Sequence, residues 1–274
     1  MSTPVLSIHG VEIPRLGLGT YKLTGDACVR AVRTALELGY RHIDTAEMYA
    51  NEAEVGRGLR ESGVAREAVF LTTKVWHTHL GRADVPRAVD AGLRALGTDY
   101  VDLLLVHWPT PDVPLEETLD AFREVQAAGK TRLIGVSNFP APLLEQALAL
   151  APEIAGDQVE HHPFLGQPKL RGLVHQHGLF LGAYRPLGRG DVLHDQTIQT
   201  VAATHGASAT QVALAWLLAD DRIVAIPKAT SHDHLADNLG ALALTLTEDD
   251  VEAIDRLPKH RRGIDPAWAP DWEA

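Results

Sequence analysis

Apolar positions along the chain fall into two rhythms. Short Val/Ile/Leu-rich runs lack strict alternation, as expected of strands covered on both faces. Between them lie longer stretches compatible with amphipathic helices. The junctions repeat. ALELG-YRHID, ALGTDY-VDLLLVH, QAAGK-TRLIGVS and HQHG-LFLGAY each run from a helix through a glycine or short turn into a strand. Glycine just past a helix end suits the left-handed position there. The pattern predicts eight strands, near residues 16–20, 40–44, 69–74, 101–107, 132–137, 156–160, 179–184 and 223–227. Each is followed by a helix-compatible stretch, and eight such units predict an α/β fold of the (β/α)8 TIM-barrel type. The opening VLSIHGVEIPRL reads differently, as a β-hairpin closing one barrel end. The tail from Pro258 reads as an irregular packed segment. No Pro/Gly/Ser-rich linker divides residues 1–274, so one domain is expected.

In such a barrel the active site gathers at the C-terminal ends of the strands. The residues predicted there are Asp44, Lys74, His107, Ser137 with Asn138, Gln158 with Glu160, Tyr184 and Lys228. Asp44 and Lys74 fall on adjacent strands, at the same level, and are expected to pair as ions. Tyr49 lies on the next loop and can fold back over them. A buried lysine near a phenol favours phenolate and is expected to lower the tyrosine pKa toward a range useful to a general acid. His107 offers a hydrogen bond to a carbonyl oxygen. Glu47 reads as a solvated loop residue. Singly, each has an ordinary reading: a structural ion pair, a core histidine, a surface tyrosine. Their convergence on one rim is what points to proton donation toward an oxygen gaining negative charge.

Composition narrows the classes. Of 274 residues, 45% are apolar and 22% charged, and the net charge is −11. Without a basic run, a nucleic-acid footprint is not expected. The one cysteine, Cys28, excludes an internal disulfide and reads as a buried helical thiol. The first ten residues carry no basic and apolar leader pattern, and no apolar run nears the ~20 residues that span a bilayer. A cytoplasmic protein without a membrane partner is expected.

The motifs GLGTY (17–21), GYRHIDTAEMYANEAEVGRGL (39–59), TTKVW (72–76), DLLLVHWP (102–109), IGVSNF (134–139), DQVEHHPFL (157–165), AYRPLG (183–188) and IPKATSHDHLADNL (226–239) resemble the aldo-keto reductases in order and spacing. The likeness spans essentially the whole chain. It implies reduction of aldehydes or ketones by NADPH, with a catalytic tetrad of Asp44, Tyr49, Lys74 and His107. Tyr49 would donate the proton, Lys74 and Asp44 would tune it, and His107 would orient the carbonyl. By the same mapping Gly19, Thr20 and Asp44 lie along the cofactor, and Ser137, Asn138 and Gln158 hold its carboxamide. Tyr184 stacks on the nicotinamide, and Arg185, Leu187 and Gly188 follow the pyrophosphate. Lys228, His234, Asp237 and Asn238 face the adenosine end. Tyr21, Met48, Trp76, His107 and Trp108 would line the substrate pocket, with Trp268 and Trp272 of the tail near it. The short loops and the tail GIDPAWAPDWEA look most like the bacterial 2,5-diketo-gluconate reductases, which also tend to accept methylglyoxal and assorted aldehydes. A monomer acting on a small carbonyl compound is implied.

Three departures from the family pattern stand out. Arg185 follows Tyr184 where most members have Ser. Ala229 and His234 replace the Ser and Arg that usually grip the 2′-phosphate of NADPH, which leaves NADH possible. Asp157 replaces a common Asn, with little consequence expected. Two other classes compete. His77-Thr78-His79 and His161-His162 suggest a metal hydrolase on the same barrel. A central lysine would repel the cation, so no metal is expected. His175, His177, His232 and His234 read as solvated or capping. The alternative function is a cofactor-bound redox-sensing regulatory protein with little turnover.

Overall fold

The computed structural model describes residues 3–272, so the first two residues and the last two of the tail motif lie outside the described residues. The chain opens with an antiparallel hairpin, β1 (Val5–Ile8) and β2 (Val11–Pro14). Its turn residues His9 and Gly10 have φ of 48° and 78°, the two left-handed residues that match the twist of a two-residue hairpin. A repeating strand-helix series comes next. It runs β3 (Leu18–Gly19), α1 (Gly25–Leu38), β4 (His42–Asp44), α2 (Glu52–Glu61), β5 (Phe70–Val75), α3 (Asp84–Leu96), β6 (Val101–Val106), α4 (Leu115–Ala127) and β7 (Thr131–Ser137). It continues through α5 (Ala141–Leu150), β8 (Gly156–Glu160), α6 (Pro168–His177), β9 (Phe180–Tyr184), α7 (Gln196–His205), α8 (Ala209–Ala219), β10 (Ile223–Ile226), α9 (His232–Gly240) and α10 (Glu248–Asp255).

Strands β3 to β10 pair in parallel, each with its sequence neighbour. A parallel bridge between Leu16 and Ala225, with Gly19 N donating to Pro227 O at 3.0 Å, joins the two edges into a barrel. The first strand is shorter than the sequence suggests. At this seam side chains crowd Gly17: a Cβ there would lie 2.9 Å from both the His42 ring and the Ile226 side chain. The predicted junction glycines Gly39 and Gly178 end α1 and α6 at φ of 108° and 70°. The tail contains no helix or strand over 256–272.

Side chains alternate faces along a strand, so the barrel has two cores. The outer one packs strand residues such as Leu71, Leu104, Ile134 and Leu181 under the helices, against Val32, Val55, Leu119 and Phe122. The inner one joins Phe70, Leu103, Leu105, Leu133, Phe180 and Val224 to Ile8, Val11 and Ile13 of the hairpin, which plugs that end. Further along, the same inward-facing series turns polar: Phe70 leads to Lys74, Leu105 to His107, Leu133 to Ser137 and Phe180 to Tyr184. No helix among the described residues is long and apolar enough to cross a membrane. Cys28 is buried in α1, and burial, followed by the charge of Glu54, pushes its thiol up to about 11.

Candidate active site

Asp44 ends β4 and Lys74 lies one residue before the end of β5; both are buried. They are not level. The register sets Asp44 opposite Thr72, which puts Lys74 about 6–7 Å further toward the mouth. The long lysine side chain spans that offset, and its Nζ donates to Asp44 Oδ1 at 2.5 Å and to Thr45 O at 2.9 Å. The second carboxylate oxygen accepts from Gln158 Nε2, across the barrel, at 2.7 Å. A buried carboxylate is tolerated only when paired and hydrogen-bonded, and here both oxygens are. Gly182 on β9 makes room for this: a Cβ there would lie 2.7 Å from Gln158 Cγ.

Tyr49 closes a 3-10 turn, Glu47–Tyr49, over this pair. Its ring centroid lies 5.0 Å from that of Tyr21, 5.5 Å from that of His107, and 5.3 Å from Lys74 Nζ. Glu47 is not the solvated residue expected. It is half-buried, accepting from Trp76 N at 2.8 Å and pairing with His79 Nδ1 at 2.6 Å. Asn51 fixes the other side of the loop. Its Nδ2 donates to Thr20 O and Leu23 O, and Thr45 Oγ1 donates to its Oδ1. Sequence reading missed both anchors. Their signal was two polar residues tightly flanking the Tyr49 position.

The electrostatics correct one further expectation. Burial, followed by Asp44, Tyr184 and Tyr21, pushes the Tyr49 phenol well above its ordinary value, not below it. Asp44 matches the charge of Lys74, so the phenol faces a neutralised pair. Burial also lowers Lys74 from the usual ammonium range, against the pull of Asp44. His107 is held well below its usual range by burial, then by Lys74 and His77. Its ring is therefore neutral near pH 7, and its buried Nδ1 has no hydrogen-bond partner among the described residues.

The residues assigned to a cofactor form a chain of contacts beside this centre. Thr20 Oγ1 donates to Asp44 O at 3.0 Å, and a Cβ on Gly19 would lie 3.1 Å from Ile226 Cγ2 and 3.3 Å from Ile226 O. Ser137 Oγ donates to Gln158 O, Asn138 Nδ2 to His107 O and Ser137 Oγ, and Tyr184 OH to Asn138 Oδ1 at 2.7 Å. After β9, Arg185, Gly188 and Arg189 all have positive φ in a tight turn, with Leu187 half-buried among them. Lys228 and His234 are exposed near the start of α9, and Ala229 is buried. Asp237 and Asn238 turn inward instead. Asp237 accepts from Ser208 Oγ at 2.8 Å, and Asn238 is buried against the Tyr40 hydroxyl. Asp157 is wholly buried, and burial, against the backbone N–H groups of Phe139 and Gln158, lifts its carboxyl well above the ordinary range. Kept protonated, it retains a donor, as an asparagine would.

An aromatic wall stands above Tyr49. Tyr21 and Met48 are exposed, Trp76 is half-buried and Trp108 buried. The tail reaches this wall: Trp268 lies 5.8 Å from Trp76 and 5.1 Å from Trp108, and Trp272 lies 6.0 Å from Trp108. A largely apolar cavity of about 380 Å³ opens between this tail and the loop Pro109–Val113. The histidines do not gather. His77 lies against Trp268, His79 pairs with Glu47, and His161 and His162 are buried near Leu165 and Phe164. His175 is exposed and shares Asp220 with Arg171.

The aldo/keto reductase family model matches residues 15–259. The chain belongs to the aldo/keto reductase family. Methylglyoxal reductase DkgB of Escherichia coli O157:H7 is 42% identical over 268 residues, covering 96% of this chain and all of that one. Glyoxal reductase of Bacillus subtilis (strain 168) is 39% identical, covering 93% and 92%. A crystal structure of a candidate 2,5-diketo-D-gluconic acid reductase B superposes with a TM-score of 0.96 at 40% identity, covering 98% and 97%. As an aldo/keto reductase the chain is an oxidoreductase, and its relatives act on carbonyl compounds. Family membership accounts for the polar mouth of a barrel whose other end is an ordinary apolar core.

Proposed function

We propose that this chain reduces small aldehydes and ketones, methylglyoxal and related dicarbonyls first, with NADPH as electron donor. The observation that carries the reading is the buried Asp44–Lys74–Gln158 network lying directly beneath Tyr49 and beside His107. The donor set fits a nicotinamide cofactor. Gln158 uses one amide N–H on Asp44, and an amide has another donor and an acceptor to offer a carboxamide. Tyr184, locked through Asn138, presents a flat ring to stack upon. Arg185 spends one long hydrogen bond, to Gly263 O at 3.4 Å, and a guanidinium has five donors, so it retains capacity for a phosphate. When bound, the cofactor supplies hydride to the carbonyl carbon.

The chain's own groups then handle the oxygen. A neutral His107 donates its N–H to the carbonyl and fixes its direction. Tyr49, protonated across the working pH range because its pKa is raised, gives its proton to the oxygen as negative charge develops there. Lys74, tied to Asp44, stays close enough to steady the phenolate that remains. The aromatic wall excludes water and favours a compact substrate. Purified protein should oxidise NADPH with methylglyoxal, and Tyr49→Phe should lose that turnover while still binding NADPH. Tight cofactor binding without turnover on any carbonyl would instead support the redox-sensing reading.

Cofactor preference should be modest. Lys228 and His234 are exposed where the 2′-phosphate would lie, but Ala229 offers no hydroxyl. Losing one charge-assisted hydrogen bond costs roughly 1.5–3 kcal/mol, or tenfold and more in preference. Appreciable NADH use is therefore expected, and Ala229→Ser should raise the NADPH-to-NADH ratio of kcat/KM. An unchanged ratio would remove position 229 from the phosphate site.

A further inference from the structure

Glu160, the last residue of β8, takes no part in the Asp44 network. Its side chain is buried: Oε1 faces His162 Nε2 at 3.6 Å, while the partners of Oε2 lie about a hundred residues away. Oε2 accepts from Gly263 N at 2.8 Å and Ile264 N at 2.9 Å. On the opposite side of the same residue, Gly263 O accepts from Arg185 Nη1 at 3.4 Å and Arg189 Nη2 at 2.5 Å. Gly263 is thus gripped at donor and acceptor at once by groups projecting from two barrel strand ends. A larger residue would have to push these side-chain tips aside. A Cβ on Gly263 would lie 2.8 Å from Glu160 Oε1 and 3.2 Å from Arg185 Nη1.

Beyond Gly263 the chain forms a small hook. Ala269 N donates to Pro266 O at 2.8 Å and Trp272 Nε1 to Asp265 Oδ1 at 3.0 Å, so the hook is tied mainly to itself. Its contacts with the barrel are aromatic, through Trp268 on Trp76, His77 and Trp108. Stacked rings set distance and leave sliding cheap, whereas a carboxylate accepting two backbone N–H groups fixes a point.

We propose that Glu160 is a positioning residue, and that its clasp on Gly263 seats Trp268 over the substrate pocket and so sets which carbonyl compounds fit. The role rests on the reading of Trp76 and Trp108 as pocket walls. It acts on substrate fit and leaves the proton donor untouched, while Arg185, assigned above to the cofactor phosphate, shares Gly263 O with Arg189. It also explains why a glycine stands at this point of an irregular tail.

The experiment uses the full chain and three variants: Glu160→Ala, Glu160→Gln and Gly263→Ala. Glu160→Gln keeps an acceptor oxygen in the same volume. Gly263→Ala tests the clasp from the tail side, in case the strand variant folds poorly. In Glu160→Ala and Gly263→Ala, KM for an aromatic aldehyde should rise about tenfold, the size of one lost charge-assisted hydrogen bond. The kcat at saturating NADPH should stay within about threefold, and Glu160→Gln should recover most of the KM. Trypsin cleavage after Arg261 and Arg262 should accelerate in the same two variants. That readout needs no activity, so it tests the clasp even if the chain proves not to be a reductase. Unchanged cleavage would overturn the clasp. Faster cleavage with unchanged KM, or a roughly tenfold fall in kcat at saturating NADPH, would overturn the positioning role.

Discussion

The two ends of the barrel are built from the same strands and could hardly differ more. At the hairpin end Phe70, Leu103, Leu133 and Phe180 meet Ile13 and Val11 in an apolar cluster. About four residues along the same strands, Lys74, His107, Ser137 and Tyr184 occupy equivalent inward positions, Lys74 paired with Asp44 and the other three bonded through Asn138. Apolar burial contributes stability wherever it occurs. A buried ion pair contributes little net stability, because desolvation offsets the attraction. The closed end therefore accounts for folding, and the open end for chemistry built on a frame that the closed end holds still.

The largest expected effect separates the two directly. Tyr49→Phe should lower kcat by about 10²–10⁴, the usual worth of a general acid, with little change in thermal stability. Phe180→Ala, at the other end, should cost about 3–5 kcal/mol of unfolding free energy while kcat at low temperature stays near wild type. Urea titration and initial rates on both variants give the crossing pattern. A tyrosine variant that unfolds easily, or a phenylalanine variant that folds well and is dead, would merge the two ends.

Acid should act on the buried histidines, of which His161 follows an open-end strand. His161 comes directly after β8, with Nδ1 donating to Leu165 O at 2.7 Å. Burial, against that hydrogen bond, pulls its pKa down to about 3. Proton counting gives the sign. Between about pH 6.5 and 3 the unfolded chain takes a proton that the folded chain refuses, so stability falls as pH falls through that window. Above it both states are neutral, and below it both are charged. By pH 4.5 the loss from this group is about 2–3 kcal/mol. His161→Gln, which keeps a donor for Leu165, should flatten the slope in that window. An unaltered slope would place the acid-sensitive group elsewhere.

The eight strands were legible because apolar runs and junction glycines are local features. The strand-end residues were legible for the same reason: each closes its own run. The level of Lys74 relative to Asp44 was not, since register is a property of two strands. The direction of the Tyr49 shift was misjudged because the lysine was weighed without the burial of the phenol, which is the largest cause. The contacts of Asp237 with Ser208 and of Asn238 with Tyr40 join separate elements and were likewise out of reach. The clasp of Glu160 on Gly263 spans 103 residues, and no window of sequence contains both partners. Local pattern set the scaffold; long-range pairing set the details that decide acidity and fit.

The smallest expected change in stability is the sharpest test. Replacing Asp44 alone by Asn strands a buried lysine, whereas Asp44→Asn with Lys74→Met removes both charges and keeps an acceptor for Gln158. Buried ion pairs replaced by neutral groups of similar volume are often neutral in stability. The double variant should unfold within about 1 kcal/mol of wild type, less than the sum of the single changes. Its turnover should nevertheless fall at least about a hundredfold, because Tyr49 would lose the cation that steadies its phenolate. If the double variant instead lost as much stability as Phe180→Ala, the network at the mouth would be a core in its own right. The division of labour between the two ends would then be wrong.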